Sequence, residues 1–530
     1  MATTPALFAL AACGADATST RVPRPPFPAT ASAAPSAAPA QAAPGRLRGL
    51  DAGAKDAHHD TALAPARDEP GRPRIGSVSH FTWIYGAPSR HRQPIGYLRP
   101  GTSVSLRDES AVTGQGCSSG RWLKVEPRGF VCEDVTVVRD LQDTVFRALS
   151  DASAPSDRVL PYRYAYSTGA PMYGKLPSPD EQRAAELRYT PVDKLPRSGK
   201  PRSGYEELAT YELLEGTDPL PWFVAPGAEL PRMRGYDRGV IRKHIPFGSL
   251  LSFSRALHVD GRTYLLSPNL TLVPADRMRP FGETQFRGVA IGDAIKPPFA
   301  WTRSEARSKY RARDDGYLEV TSDTWPPRTV VLLTGKRATR GTQAFLETRE
   351  PGVFIRERDA SVVPERAKLP WGAGPTDKWI DFAATSGTFT LFVGDKPVYS
   401  TLGSPGAGGP APHLRMSAED LVKGSYTPLG VFRITFKTRT STMSPEAVPN
   451  PKDHWIQDVP YTQYFERPFA IHTAYWHEDF GQPKSGGCIN LSPIDAHFVF
   501  GWTAPAIPPE WSGVSSSGEM GLGTILVVRR

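Results

Sequence analysis

Near the end of the chain, the stretch from Ala470 to Leu491 gathers residues able to do covalent chemistry. Cys488 sits in a Ser485-Gly486-Gly487-Cys488-Ile489-Asn490 turn, and His472 lies sixteen positions upstream (488 − 472). A thiol attacks only as its thiolate, so a cysteine nucleophile needs a base or a positive environment beside it. The two glycines ahead of Cys488 remove Cβ atoms that would keep backbone N–H groups away from a reacting carbonyl. Nucleophile, imidazole and amide-rich turn together describe acyl transfer. Ile471 and Ile489 put both candidates at strand positions, with Phe480-Gly-Gln-Pro483 in the loop between them.

These residues resemble the L,D-transpeptidase catalytic domain of bacterial cell-wall enzymes, whose pattern is a histidine, a spacer, then Ser/Thr-His-Gly-Cys-x-Asn/Arg. His472, Ser485, Gly487, Cys488 and Asn490 match it, and Gly486 stands where the family has a second histidine. Upstream, Thr427-Pro-Leu-Gly-Val-Phe432 is similar to the family's Thr-Pro-x-Gly-x-Phe segment, and Met443 precedes an aromatic-rich run to His472. The resemblance covers Trp379 to Arg530. It implies a β-rich fold with Cys488 as nucleophile and His472 as base. A backbone carbonyl beside that histidine, at the place of Thr473, would orient the ring. The amides of Gly487 and Cys488 would hold the oxyanion, and Ser485 and Asn490 would brace the turn.

The implied donor is a peptidoglycan stem tetrapeptide, cut before its terminal D-alanine, in the service of cell-wall biogenesis and cell shape. The acceptor is an amine of a second stem or a protein lysine; water in its place would make the enzyme a carboxypeptidase. No cofactor is implied, and carbapenem-type β-lactams are the expected covalent inhibitors. Tyr475, Trp476 and His477 are candidates either for lining the donor site or for packing the domain. His477, Glu478 and Asp479 fit no common zinc spacing, so no metal is expected. A papain-like protease is disfavoured because its cysteine precedes its histidine. A catalytically decayed wall-binding scaffold stays open because of Gly486, while retention of His472, Cys488 and Asn490 together weighs against it.

A chain of 530 residues suggests three or four domains. At 39% hydrophobic and 10% aromatic it can bury real cores, while Gly 48 and Pro 54 point to many turns and an unstructured stretch. The net charge of +9 comes from scattered Lys and Arg. That suits an anionic envelope polymer, and without a basic, aromatic-interleaved face it gives no reason to expect nucleic acid. No apolar run reaches the length of a membrane helix.

At the N-terminus, Leu10-Ala-Ala-Cys13 after an apolar run looks like a lipoprotein signal box, although no Lys or Arg precedes the run. Residues 1–13 are therefore expected to be a signal remnant, with Cys13 lipidated as the one membrane attachment, and 14–75 an Ala/Pro-rich tether. The expected location is the periplasm or cell envelope. With Cys13 lipidated and Cys488 the nucleophile, Cys117 and Cys132 remain of the four cysteines. A disulfide between them suits an oxidising envelope; two buried free thiols is the alternative.

The elements that must position the site are mostly short strands. Phe81–Pro88, Ile95–Leu106, Arg121–Val125 and Gly129–Cys132 alternate apolar and polar residues and resemble a bacterial SH3-like barrel over 76–140. Within it Trp83, Tyr85, Tyr97 and Trp122 either stack on wall ligands or fill a small core. Residues 141–220 read as an irregular insert whose best helix is Pro179–Leu187, and 221–368 as one or two further SH3-like units. The catalytic domain is expected over 376–530. It would open with a hairpin turning at Gly394-Asp395, carry a flexible Ser404–Pro412 rim, and place a short Asp495–Phe500 helix beneath the cysteine turn. The fold class is thus mostly β.

Overall fold

The computed structural model describes residues 71–153, 158–191, 221–222, 240–282, 284–443 and 456–530. The expected lipidation site at Cys13 and all but the last residues of the tether lie outside them. The described chain is mostly β, and among its residues no helix is long and apolar enough to cross a membrane.

Seven strands between Arg74 and Val138 make the first unit. Alternation puts Ile75, Ile84, Ile95, Leu98, Val104, Leu106, Leu123, Val125 and Val131 on one side, where they form its core. Trp122 and Tyr97 are buried, Tyr85 nearly so, and Trp83 partly. These rings therefore act chiefly as core. Cys117 and Cys132 are joined, S–S 2.06 Å, tying the turn before Arg121–Val125 to the strand Phe130–Cys132. A cross-link over this separation of 15 residues stabilises by about 3 kcal/mol.

This unit is not a free-standing bead. Its strand Pro94–Leu98 pairs with Gly513–Ser515 of the C-terminal part, which in turn pairs with Phe436–Met443, so one sheet runs through both. Glycine is required at the seam. A Cβ on Gly96 would stand 2.3 Å from the Trp511 ring, and one on Gly513 would stand 2.4 Å from the Tyr97 ring. Trp511 completes the first unit's core, and its indole N–H donates to Glu126 O at 2.7 Å.

The middle of the chain departs from expectation. Residues 158–191, predicted to be an irregular insert, contribute the strands Arg163–Ser167 and Ala170–Tyr173 as well as the helix Pro179–Glu186. Arg163–Ser167 lies between Leu250–Phe253 and Met278–Pro280, and Ala170–Tyr173 pairs with Ile241–Ile245. Ala170–Tyr173 is buried at every position, so no apolar–polar alternation marks it, and its partners lie about seventy residues away along the chain. Further on, strands from Phe299–Trp301 to Ser361–Val363 form a separate seven-stranded sheet. The strands predicted as repeats over 221–368 thus fall in several different sheets, two of which also take a strand from the insert.

In the C-terminal part, Lys378–Ala383, Thr388–Val393 and Lys396–Leu402 form consecutive hairpins, the second turning at Gly394-Asp395. Ile525–Arg529 runs parallel to Lys378–Ala383. The second sheet carries Phe436–Met443, Ile456–Glu466, Phe469–Thr473 and Ile489–Leu491. Between the sheets lies the helix Pro493–Trp502, started by Ser492, whose hydroxyl accepts from Asp495 N. Its last carbonyls are met by the buried Lys437, whose Nζ donates to Phe500 O and Thr503 O, each at 2.7 Å.

Asp458, on the strand Ile456–Glu466, ties the upstream units to this sheet. Its carboxylate pairs with Arg99 of the first unit at 2.6 Å and accepts from Ser252 Oγ at 2.5 Å. Its carbonyl accepts from Tyr164 OH at 2.9 Å. With the Asp458 side chain 1% exposed, removing one partner leaves a charge buried without compensation. Arg99→Ala is expected to lower stability by about 3–5 kcal/mol in chemical denaturation. A change below about 1 kcal/mol, the value for a surface pair, would show that the junction is solvated.

Candidate functional site

Phe469–Thr473 and Ile489–Leu491 pair in parallel with Ile471 opposite Ile489, His472 opposite Asn490 and Thr473 opposite Leu491. Side chains alternate along a strand, so Ile471, Ile489 and Leu491 turn one way into the core between the sheets. His472, Asn490 and Cys488 turn the other way. Cys488 then lies one strand across and two residues along from His472. Both residues are buried.

The His472 ring has a fixed tautomer. Nδ1 lies 2.8 Å from the carbonyl oxygen of Thr473, which can only accept, so Nδ1 carries the proton and Nε2 keeps its lone pair. Burial pulls the pKa from 6.5 down to about 4, against the raising effect of that hydrogen bond. The imidazole is neutral at ordinary pH. The chemistry at this site is that of the Cys488 thiol.

The cysteine turn is held from two sides. Ser485 Oγ donates to Cys488 O at 2.6 Å and accepts from Gly487 N at 3.1 Å. The Gly487 amide, expected to serve an oxyanion, is engaged by the Ser485 hydroxyl here. Gly487 has φ +124°, and a Cβ there would meet the Phe469 ring at 2.5 Å and Tyr426 O at 2.7 Å, so glycine is needed. From the other side comes the segment expected to be a flexible rim. Ser404 exchanges backbone bonds with Asn490 at 2.9 Å each way, Pro405 O accepts from Lys484 N and Ser485 N, and Ala407 N donates to Ser485 O. Residues 401–406 are buried, which makes this stretch a brace. Its Gly, Pro and Ala content serves close approach: a Cβ on Gly406 would lie 2.0 Å from Ser425 O and 2.9 Å from Gly487 Cα.

The three aromatic candidates after His472 divide. Tyr475 stacks on Tyr164 of the middle unit, ring centroids 4.1 Å apart, and meets Phe281 edge-on, so it packs an interface. Trp476 lies beside His472, with centroids 6.0 Å apart. His477 reaches Asn490: its Nε2 is 3.2 Å from the asparagine side-chain amide. Burial and the nearby Lys484 pull the His477 pKa down to about 4. Among the described residues no three metal-ligating side chains converge. On the apolar side, Cys488 packs in a cluster with Ala470, Phe436, Tyr464 and Tyr97, with Trp83 against it. The first unit thus supplies walls to the neighbourhood of the thiol. Sequence reading placed Tyr97 only in its own unit, because nothing local announces a contact with a residue nearly four hundred positions away.

Residues 377–526 match a family model, and the class it defines is a β-rich acyltransferase of cell-wall chemistry. The family is YkuD, the L,D-transpeptidase catalytic domain, and this C-terminal part of the chain belongs to it. No curated protein matches the chain. Among solved structures it is similar to an L,D-transpeptidase from Mycobacterium smegmatis, at 17% identity and TM-score 0.21, covering 46% of this chain and 88% of that one. LD transpeptidase LdtMt1 in complex with imipenem gives 16%, a TM-score of 0.20, and coverage of 45% and 87%. L,D-transpeptidase 3 from Mycobacterium tuberculosis, in complex with a faropenem-derived adduct, gives 17%, 0.20, and coverage of 42% and 78%. The family assignment rests on the domain match.

His472, which is buried, and His80 and His477, which are partly buried, give the fold an acid limit. His80, His472 and His477 each have a folded pKa lowered from 6.5 to about 4, with burial as the largest cause. Between pH 4 and 6.5 the unfolded chain binds protons that the folded chain refuses. Stability is therefore complete above about pH 6.5 and falls as pH drops towards 4, by at most about 1.4 kcal/mol per pH unit for the buried His472 and by less for the partly exposed His80 and His477. Urea midpoints should be clearly lower at pH 5 than at pH 7.5. Equal midpoints would mean that these rings are solvated.

Proposed function

We propose that this protein is a cysteine L,D-transpeptidase, with Cys488 as nucleophile and His472 as the base that serves it. The observation that carries the reading is His472 on the same sheet face as Cys488, with Nδ1 tied to Thr473 O, inside a region matching that family. Nε2 of His472 takes the thiol proton, and Sγ attacks the carbonyl carbon of the residue preceding a terminal D-alanine in a stem tetrapeptide. The C–N bond breaks, the leaving amine takes the proton from His472, and a thioester to Cys488 remains. An acceptor amine then attacks the thioester, gives its proton to Nε2, and the thiol is restored. Water in the same place gives a carboxypeptidase outcome. A cell-envelope location is part of the proposal, supported by the Cys117–Cys132 disulfide, which persists in oxidising compartments. Lipid attachment at Cys13 belongs to it as well.

The imipenem and faropenem complexes of similar proteins extend the proposal to β-lactams. In the lactam the acyl C–N bond opens on Sγ attack, the ring nitrogen takes the proton, and the fragment stays on sulfur. The reduced wild type is expected to gain the mass of one carbapenem, and Cys488→Ala none. Addition to both, or to neither, would overturn the assignment of Cys488.

Gly486, standing in the family's second histidine position, does not on this reading silence the enzyme, since one imidazole within reach of the thiol suffices as base. Turnover of muropeptides should be abolished in His472→Ala and unchanged or modestly raised in Gly486→His. Activity only in Gly486→His would mark the natural chain as a decayed enzyme.

A further inference from the structure

His477 carries an unexplained arrangement. Its Nδ1 accepts a hydrogen bond from Asp479 N at 3.3 Å. A neutral imidazole has one lone-pair nitrogen, so Nε2 must carry the proton and must donate. The group facing it on Asn490, 3.2 Å away, is therefore the amide oxygen. This orientation also gives a partner to Oδ1 of Asn490, which is otherwise buried with none. The Asn490 NH2 group is then turned to the opposite end of the side chain, away from His477. Asn490 stands directly across from His472 and two residues along from Cys488, on their face of the sheet.

The loop that presents His477 is fixed at several points. Ala474 N donates to Leu491 O at 2.8 Å, Ser404 Oγ donates to Asp479 O at 3.0 Å, and Lys484 pairs with Asp479 at 2.6 Å. Arg328, from the seven-stranded sheet, donates to Glu478 O. Phe480 lies against the imidazole, centroids 5.1 Å apart.

We propose that His477 is a positioning residue for the acyl-transfer site: its Nε2–H fixes the Asn490 amide so that the NH2 end is offered to a carbonyl or carboxylate oxygen of the bound peptide. The substrate class so selected is one with an acceptor oxygen beside the scissile bond, as a peptide carbonyl or a terminal carboxylate provides. A second imidazole thus enters the site from the loop after His472, although the residue two before the nucleophile is Gly486. The inference rests on the transpeptidase reading.

The test compares full-length wild type, His477→Gln and His477→Phe, reduced, for the rate at which a carbapenem adds to Cys488, followed by intact mass. Glutamine keeps an acceptor for Asp479 N and a donor for Asn490, whereas phenylalanine keeps only the ring packing. The expected result is His477→Gln within about threefold of wild type and His477→Phe slower by about ten- to thirtyfold. A role in packing alone predicts the reverse order. The inference is overturned if His477→Phe acylates at the wild-type rate, or if His477→Gln is as slow as His477→Phe. Failure of the wild type itself to acylate would sink the transpeptidase reading and this inference with it.

Discussion

One register constrains the site: Phe469–Thr473 lies parallel to Ile489–Leu491 with His472 opposite Asn490. The period of two along each strand then sends Ile471, Ile489 and Leu491 inward and leaves His472, Cys488 and Asn490 together on the other face. A slip of one residue would exchange the two sets, putting imidazole, thiol and amide into an apolar core. Burial of Phe469, Ile471, Ile489 and Leu491 among Phe382, Phe389 and Leu526 makes that slip costly. Chemistry and core are specified by the same alternation.

Around that pair of strands the remaining chain acts as support. The Ser404–Ala407 brace fixes one flank of the cysteine turn, and Ser485 spans it from within. The strand next to Phe469–Thr473 carries Asp458, which the two upstream units grip through Arg99, Ser252 and Tyr164. Tyr97 and Trp83 reach the thiol's own cluster from the first unit. The upstream units are thus continuous with the catalytic sheet, and substitutions in them are expected to reach the site through packing.

The sequence made the site's local parts legible and hid the distant ones. Cys488, His472 and their turn stood out because their spacing is short and glycine has few reasons to occur twice before a cysteine. The helix expected over Pro179–Leu187 is present as Pro179–Glu186, and its Ser178–Glu181 capping box is a purely local device. By contrast, Arg163–Ser167 and Ala170–Tyr173 gave no strand signal, being short, largely buried, and paired with strands about seventy to one hundred and fifteen residues away. In the Ser404–Pro412 stretch only Ser404–Gly406 departs from the expected rim: glycine and proline mark loose loops and tight approaches alike, and the 2.0 Å clearance at Gly406 marks a tight one. The engagement of the Gly487 amide by Ser485 Oγ depends on a side-chain rotamer, which no pattern of residue types records.

The claim at the centre is that Cys488 takes an acyl group from a stem peptide. It is tested most directly by mixing the reduced protein with a disaccharide tetrapeptide and following free D-alanine together with the mass of the Cys488-containing peptide. The account predicts stoichiometric release of D-alanine and a tripeptide-acyl adduct on that peptide, discharged when an amine is added. D-Alanine release without any adduct at Cys488, or an adduct at another residue, would contradict it.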